Sequence, residues 1–216
     1  MELLVNAFEY LLEHHVRFLE ELQVHLVLSM SALLLAFVIC VPLGIWCAKN
    51  PRVAAPIMNT INSIRVIPSL AILIIMLPFI GTGFWSALVA LTVLACPPIL
   101  INTFLGFRGI DDAILESASG MGMESKSVLR KIEFPLAMPL IVTGTKTSSV
   151  EVLASATLAA FIGGGGLGTY IINGLSMYKF EVLLVGAIPI ALLTIFSEVL
   201  FAGIERFTTK YQRDPS

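Results

Sequence analysis

Five long apolar runs, separated by short polar segments, dominate the chain. They cover residues 24–48, 54–79, 83–105, 136–162 and 181–205. Each run exceeds the roughly 20 residues that an α-helix needs to cross a bilayer core of about 30 Å. The second run is the least uniform, because Asn59, Asn62, Ser63 and Arg65 crowd its first half. The pattern predicts an all-α integral membrane protein with five transmembrane helices in a single domain, residues 24–205.

Composition supports the membrane class. Of the 216 residues 57% are hydrophobic and only 13% are charged, whereas a soluble domain carries about 25% charged residues. Cys40, Cys47 and Cys96 all fall inside predicted spans, and their spacing is not that of a metal site. We therefore interpret the cysteines as small packing residues, with no bound metal.

The basic residues predict the orientation. One side of the membrane receives nine of them: Lys49, Arg52, Arg108, Lys126, Arg130, Lys131, Arg206, Lys210 and Arg213. The other side receives only Arg17 and Lys179. Because cytoplasmic loops are enriched in Lys and Arg, the N-terminus is predicted outside and the C-terminus in the cytoplasm. The loop 106–135 and the tail 206–216 are then cytoplasmic.

The segment before the first run is amphipathic. Apolar or aromatic side chains recur at helical spacing at Leu4, Phe8, Leu11, His15, Phe18 and Leu22. This spacing predicts a helix in residues 1–23 that lies along the outer membrane interface.

Two glycine-containing stretches resemble nucleotide-binding motifs. GMGMESKS, residues 120–127, has Gly120, Lys126 and Ser127 of a phosphate-binding loop, but Ser125 replaces its second glycine. GGGGLG, residues 163–168, matches the dinucleotide fingerprint, without the strand–helix–strand context that this fingerprint requires. We reject a cofactor at both sites, and we interpret GGGGLG as a turn at a helix end.

The chain is not predicted to be an enzyme. Thr147, Ser148 and Ser149 have no histidine near them in sequence, so no nucleophile with its base can be assembled. Ionisable residues inside spans nevertheless tend to mark function. Four such residues occur, namely Arg65, Lys146, Glu151 and Glu198. Arg65 and Glu198 could pair with each other or act separately, and Lys146 could extend towards the cytoplasm.

The fourth run carries a polar stripe at helical spacing, formed by Thr147, Ser148, Glu151 and Ser155. Such a stripe should face protein or a water-filled path instead of lipid. Lining of a translocation path and hydrogen bonding between helices are both consistent with it.

The cytoplasmic loop contains a more specific pattern. ESASGMGMESKSVLRKIEFP, residues 116–135, resembles the EAA loop of ABC-importer permeases, E-A-A-x3-G-x9-I-x-L-P. The matching positions are Glu116, Ser117, Ala118, Gly122, Ile132, Phe134 and Pro135, with Ser117 and Phe134 departing conservatively from Ala and Leu. Asp111 or Asp112 can cap a short helix through Ala113 to Ser119. Gly120 and Gly122 should end it, and a second helix is expected over 124–132.

The resemblance extends beyond this loop. HLVLSMSALLLAFVICVPLGI, SIRVIPSLAILIIMLPFIGTG and ATLAAFIGGGGLGTYI are similar to the glycine betaine/carnitine/choline (osmoprotectant) permease subfamily. The methionine permeases, which share the five-helix type I ABC-importer fold, are the nearest alternative. A methionine or other amino-acid importer, and a non-transporting membrane scaffold, remain alternatives at this point.

The resemblance implies a multi-pass subunit of the bacterial cytoplasmic (inner) membrane. Its partners would be two ATPase subunits that bind ATP and Mg²⁺, a second permease copy or a sister permease, and an extracytoplasmic binding protein, with no nucleic acid. This chain would bind no cofactor. A cytoplasmic coupling helix would contact the ATPase through Glu116, Ser117, Ala118, Ser119, Gly120, Met121 and Gly122.

Overall fold

The computed structural model describes residues 2–210, which form helices and no strand. The first five helices are α1 (Glu2–Glu13), α2 (His15–Lys49), α3 (Pro51–Ile64), α4 (Ser69–Ile80) and α5 (Phe84–Arg108). The next five are α6 (Asp112–Gly120), α7 (Ser125–Val128), α8 (Phe134–Ala156), α9 (Gly168–Ser176) and α10 (Phe180–Lys210). A π-helical turn, Leu129–Glu133, joins α7 to α8, and a 3₁₀ helix, Thr157–Ile162, extends α8.

The helices overlap the predicted spans, with one clear break. Among the described residues, α2, α5 and α10 are each long and apolar enough to cross a membrane. The second run instead divides into α3 and α4, which together qualify as a fourth span but meet at an angle of 101°. Helix α3 ends at Ile64 and Pro68 is the residue before α4; because the residue before a proline is disfavoured in the α-conformation, Pro68 favours a break in this segment. The number of spans stays a prediction.

Helix α8 is long but less apolar than the other spans, because Lys146, Glu151 and several hydroxyl residues lower its hydropathy. Most of its length is nevertheless packed inside the protein. Ala137, Ile141, Val152 and Ala156 are buried along it. A helix with this composition can lie in the membrane when neighbouring helices contact its polar positions.

The N-terminal segment is divided differently from the prediction. Helix α1 ends at Glu13, and α2 then runs without interruption from His15 to Lys49, so its start precedes the predicted residue 24 by nine positions. The break falls at His14, whose ring stacks on Tyr10 with centroids 4.2 Å apart. The apolar spacing continues across His14 and therefore contains no signal for the break.

Close helix contacts are built on small residues. Helices α2, α5 and α8 form the main core, in which Leu28, Leu91 and Ile141 are fully buried. A Cβ atom added at Gly144 of α8 would lie 2.7 Å from the carbonyl oxygen of Pro98 on α5, and one at Gly44 of α2 would lie 2.8 Å from Thr103 Cβ. Glycine therefore lets these backbones approach closely, as is common in membrane bundles.

A second, smaller core lies between α1, α9 and α10 and includes Ala7, Tyr170 and Val182. The GGGGLG stretch leads into α9, and Gly166 adopts a φ of +86°, a conformation that favours glycine. The Gly166 amide donates a hydrogen bond of 2.7 Å to the Glu21 carboxylate of α2. The turn is thus fixed against the N-terminal half of α2.

Candidate functional site

Helix α6 is capped at both ends. The Asp111 carboxylate accepts a hydrogen bond of 2.9 Å from the Ala113 amide, which satisfies a free N–H of the first turn. At the other end the Met123 amide donates to Ala118 O and the Gly122 amide to Ser119 O, with Gly122 at a φ of +79°. This paired arrangement is a Schellman cap, for which glycine is the preferred residue. The structure therefore contains the predicted short helix: of the two candidate caps Asp111 is the one used, and the helix continues through Gly120 before Gly122 turns the chain.

Most of α6 is uncovered. Ala118 is buried, whereas the other six predicted coupling residues, Glu116, Ser117, Ser119, Gly120, Met121 and Gly122, are exposed. Ile114 and Met121 lie seven residues apart, on one face, and Met121 is 75% exposed. A capped helix with small side chains and exposed apolar residues presents a surface suited to a partner protein.

The segment after Gly122 is continuous with the membrane bundle. The predicted helix 124–132 is only partly correct, because α7 covers Ser125–Val128 and the π-helical turn then leads directly into α8. Within that turn, buried Glu133 forms a salt bridge of 3.0 Å with Lys49, the last residue of α2. A displacement of the loop would therefore act on α2 as well as on α8.

The residues of the predicted polar stripe point in different directions. Ser148 is fully buried and donates a hydrogen bond of 2.6 Å to the Ala95 carbonyl of α5. Thr147 is exposed and donates to the Thr143 carbonyl one turn earlier. Glu151 and Ser155 line a cavity. The structure therefore places Ser148 in the α5–α8 interface and Glu151 and Ser155 at an open space.

This cavity, hereafter the break cavity, lies where α3 and α4 separate. Its volume is about 260 Å³, and it is lined by Ile64, Arg65, Val66, Ile67, Pro68, Ser69, Leu94, Pro97, Glu151 and Ser155. Arg65 and Glu151 are exposed, and both line this cavity. Within residues 2–210 no salt bridge joins these two side chains. The sequence identified both charges, but not that they share one cavity.

The other intramembrane charges form a second group, hereafter the α8–α10 polar cluster. Lys146 Nζ lies 2.9 Å from a Glu205 oxygen and 3.5 Å from a Glu198 oxygen. Thr143 donates a hydrogen bond of 2.7 Å to Glu205. Glu198 thus pairs with Lys146 and not with Arg65. Glu205 is not among the four ionisable residues predicted inside the spans, although it lies seven residues after Glu198 and so on the same face of α10.

Among the described residues, no group of three His, Cys, Asp or Glu side chains is placed so that it could hold a metal ion.

The structure combines a polar cavity inside a helical bundle with an exposed, capped helix. Such an arrangement suits a membrane subunit that works with a partner protein. Residues 40–210 match the family of binding-protein-dependent transport system inner membrane components. The chain belongs to this family, and it is a permease subunit of an ABC importer and not itself an enzyme.

Several relatives are similar over most of their length. The carnitine transport permease protein OpuCB of Listeria monocytogenes is 41% identical over 191 residues, which cover 88% of each chain. The glycine betaine/carnitine/choline transport system permease protein OpuCB of Bacillus subtilis is 40% identical over 86% of this chain and 85% of the relative. The choline transport system permease protein OpuBB of the same organism is 41% identical with the same coverage.

The fold is similar to that of the MetNI methionine ABC transporter, whose solved structures are described as inward-facing. One such structure superposes with a TM-score of 0.81 at 22% identity, covering 93% of this chain and 99% of the other. The type I importer fold expected from the sequence is therefore confirmed.

Proposed function

We propose that this permease imports small compatible solutes that carry a quaternary ammonium group, of the glycine betaine, carnitine and choline type. The observation that supports this substrate class is the 40–41% identity to three permeases named for those solutes. The similarity to a methionine transporter is a likeness of fold at 22% identity, and it does not favour methionine as the substrate.

The proposed partners are two ATPase subunits, which bind ATP and Mg²⁺, a second permease copy or a sister permease, and an extracytoplasmic binding protein. The exposed surface of α6, with Ile114 and Met121 at its edge, supports contact with an ATPase. ATP-driven closure of the ATPases would move α6, and the bond between Lys49 and Glu133 would pass part of that movement to α2.

The proposed translocation path includes Glu151, Ser155 and Thr147. Glu151 and Ser155 line the break cavity, and Thr147 is exposed one turn before Glu151 on the same helix. Charged and hydroxyl groups exposed at membrane depth are costly unless they face water or protein. We assign Ser148 to helix packing, because its hydroxyl is buried against α5. The basic residues favour an N-terminus outside and a C-terminus in the cytoplasm.

Transport of labelled solutes tests the substrate proposal. The complete importer, with permease, ATPase and binding protein in proteoliposomes, would be supplied with glycine betaine, carnitine, choline and methionine in parallel. We expect ATP-dependent uptake of at least one quaternary ammonium solute and none of methionine. Uptake of methionine alone would contradict the proposal.

Two loop variants test the coupling proposal. Gly122→Asp places a side chain at a left-handed position, which strains the cap and adds charge to the contact surface. Glu116→Lys reverses a charge on the same surface. We expect both variants to lose co-purification with the ATPase and to lose uptake while remaining in the membrane. The control is Arg52→Gln, which removes a charge from α3 at a position outside the predicted coupling residues. Normal ATPase binding and uptake by both loop variants would overturn the coupling role.

A further inference from the structure

The break cavity combines two opposite charges that no salt bridge joins. Arg65 lies at the end of α3, and Glu151 faces it from α8. Both are exposed, whereas Lys146, Glu198 and Glu205 are held together in the α8–α10 polar cluster. Opposite charges in a membrane normally pair directly or serve a ligand. A cavity that both charges line without a salt bridge between them fits a ligand with two charges of its own.

The start of helix α4 adds partial positive charge to the side of the break cavity where Arg65 lies. Helix α4 begins at Ser69, which lines the same cavity, and the start of a helix carries a partial positive charge. Broken helices whose N-terminal ends point at an anionic substrate group are a recurring arrangement in membrane transporters. An anionic group would therefore lie towards Arg65 and Ser69, and a cationic group towards Glu151.

The size and lining of the cavity limit the ligand further. A volume of about 260 Å³ lies just below the range of about 300–1,000 Å³ that is usual for drug-sized ligands. No aromatic residue is among those lining it, so a quaternary ammonium group would be held by the Glu151 carboxylate and not by an aromatic cage. One carboxylate without a cage suits a site from which the solute must leave again.

We propose that the break cavity is a contact site for zwitterions, in which Arg65 binds the substrate carboxylate and Glu151 the quaternary ammonium group. This assignment rests on the proposed function and adds to it a preference for zwitterions over simple cations. A zwitterion such as carnitine engages both charges, whereas a simple cation such as choline engages only Glu151. Guanidinium and carboxylate groups can form paired hydrogen bonds, and choline has no carboxylate.

The test is the ratio of carnitine to choline uptake by the complete importer in proteoliposomes, with each solute at a saturating concentration. Arg65→Gln keeps a polar side chain and removes the charge. We expect this variant to lower the ratio by about tenfold, the worth of one charge-assisted hydrogen bond, while Arg52→Gln on the same helix leaves it unchanged. Equal losses for both solutes would overturn the proposal, because a gate or a purely structural ion pair would affect them equally.

A second measurement is independent of the selectivity of the binding protein. Ser69→Cys places a thiol in the cavity wall of the permease–ATPase complex without altering either charge. We expect carnitine to slow labelling by a water-soluble thiol reagent more than choline does, and Arg65→Gln to remove the difference. Identical labelling with carnitine, with choline and without solute would reject the site. If the importer takes up no quaternary ammonium solute at all, the proposed function fails instead, which separates the two conclusions.

Discussion

The α8–α10 polar cluster and the break cavity both place ionisable side chains among apolar helices, but they satisfy them in different ways. In the cluster, Lys146 contacts Glu205 at 2.9 Å, and Thr143 donates a further hydrogen bond to the same carboxylate. In the cavity, Arg65 and Glu151 face an open space of about 260 Å³ without a salt bridge between them. The cluster therefore holds two helices together, whereas the cavity keeps its charges available.

This difference decides which charged residues are expected to affect transport. A buried charge that loses its partner destabilises the fold. A charge that faces a cavity and forms no salt bridge leaves no paired charge behind when it is removed, so its removal should change the cavity chemistry more than the fold. The two sites can be separated experimentally, because stability and uptake should respond differently at each.

The largest effect is expected from Lys146→Met. Without the ammonium group, the salt bridges of 2.9 Å to Glu205 and 3.5 Å to Glu198, which join α8 to α10, are lost, and this loss should lower the stability of the folded chain by about 2 kcal/mol. Thermal unfolding of the purified permease in detergent measures this loss, and uptake should fall along with the amount of folded protein. The double variant Lys146→Met/Glu205→Met should recover much of the stability, because neither member of the closest pair is left alone. An unchanged unfolding temperature in the single variant would show that the cluster does not support the fold.

A smaller and more selective effect is expected from Glu151→Gln. The amide has nearly the same shape but no charge, so we expect a wild-type unfolding temperature together with a roughly tenfold loss in uptake of quaternary ammonium solutes. Thermal unfolding of the purified permease in detergent and solute uptake by the importer measure these two effects. If this variant unfolds as early as Lys146→Met, Glu151 belongs with the structural charges and the comparison fails.

The smallest effect is expected from Ser148→Ala. This variant removes the hydrogen bond to the Ala95 carbonyl, and such a bond between membrane helices contributes on average about 0.6 kcal/mol. We expect a slight decrease in unfolding temperature and no change in uptake. A strong loss of uptake at normal stability would return Ser148 to the translocation path.

Much of the fold could be predicted because the signals are local. Apolar runs longer than 20 residues fix the helices, and the Asp111 cap and Gly122 fix the ends of α6. The division of the second run into α3 and α4 was not predicted, although polar residues crowd its first half. Its angle of 101° depends on packing against other helices, which no local pattern encodes.

The candidate sites were less predictable because they depend on contacts between distant residues. Lys146 and Glu205 are 59 positions apart. Nothing in the sequence indicates which glutamate of α10 lies nearest to Lys146. The polar stripe on α8 likewise gave no way to separate Ser148 from Glu151, because residues one turn apart face different neighbours as soon as a second helix packs against α8.

The salt bridge between Lys49 and Glu133 has a mechanical consequence. From Ser125 onward the chain is helical without interruption into the membrane, through α7, the π-helical turn and α8. Gly122, with its positive φ, separates this continuous helix from α6, and Lys49 joins it at Glu133 to the end of α2. Under the proposed coupling role of α6, a displacement there would therefore be passed to α2 and α8 as a linked pair and not to either helix alone.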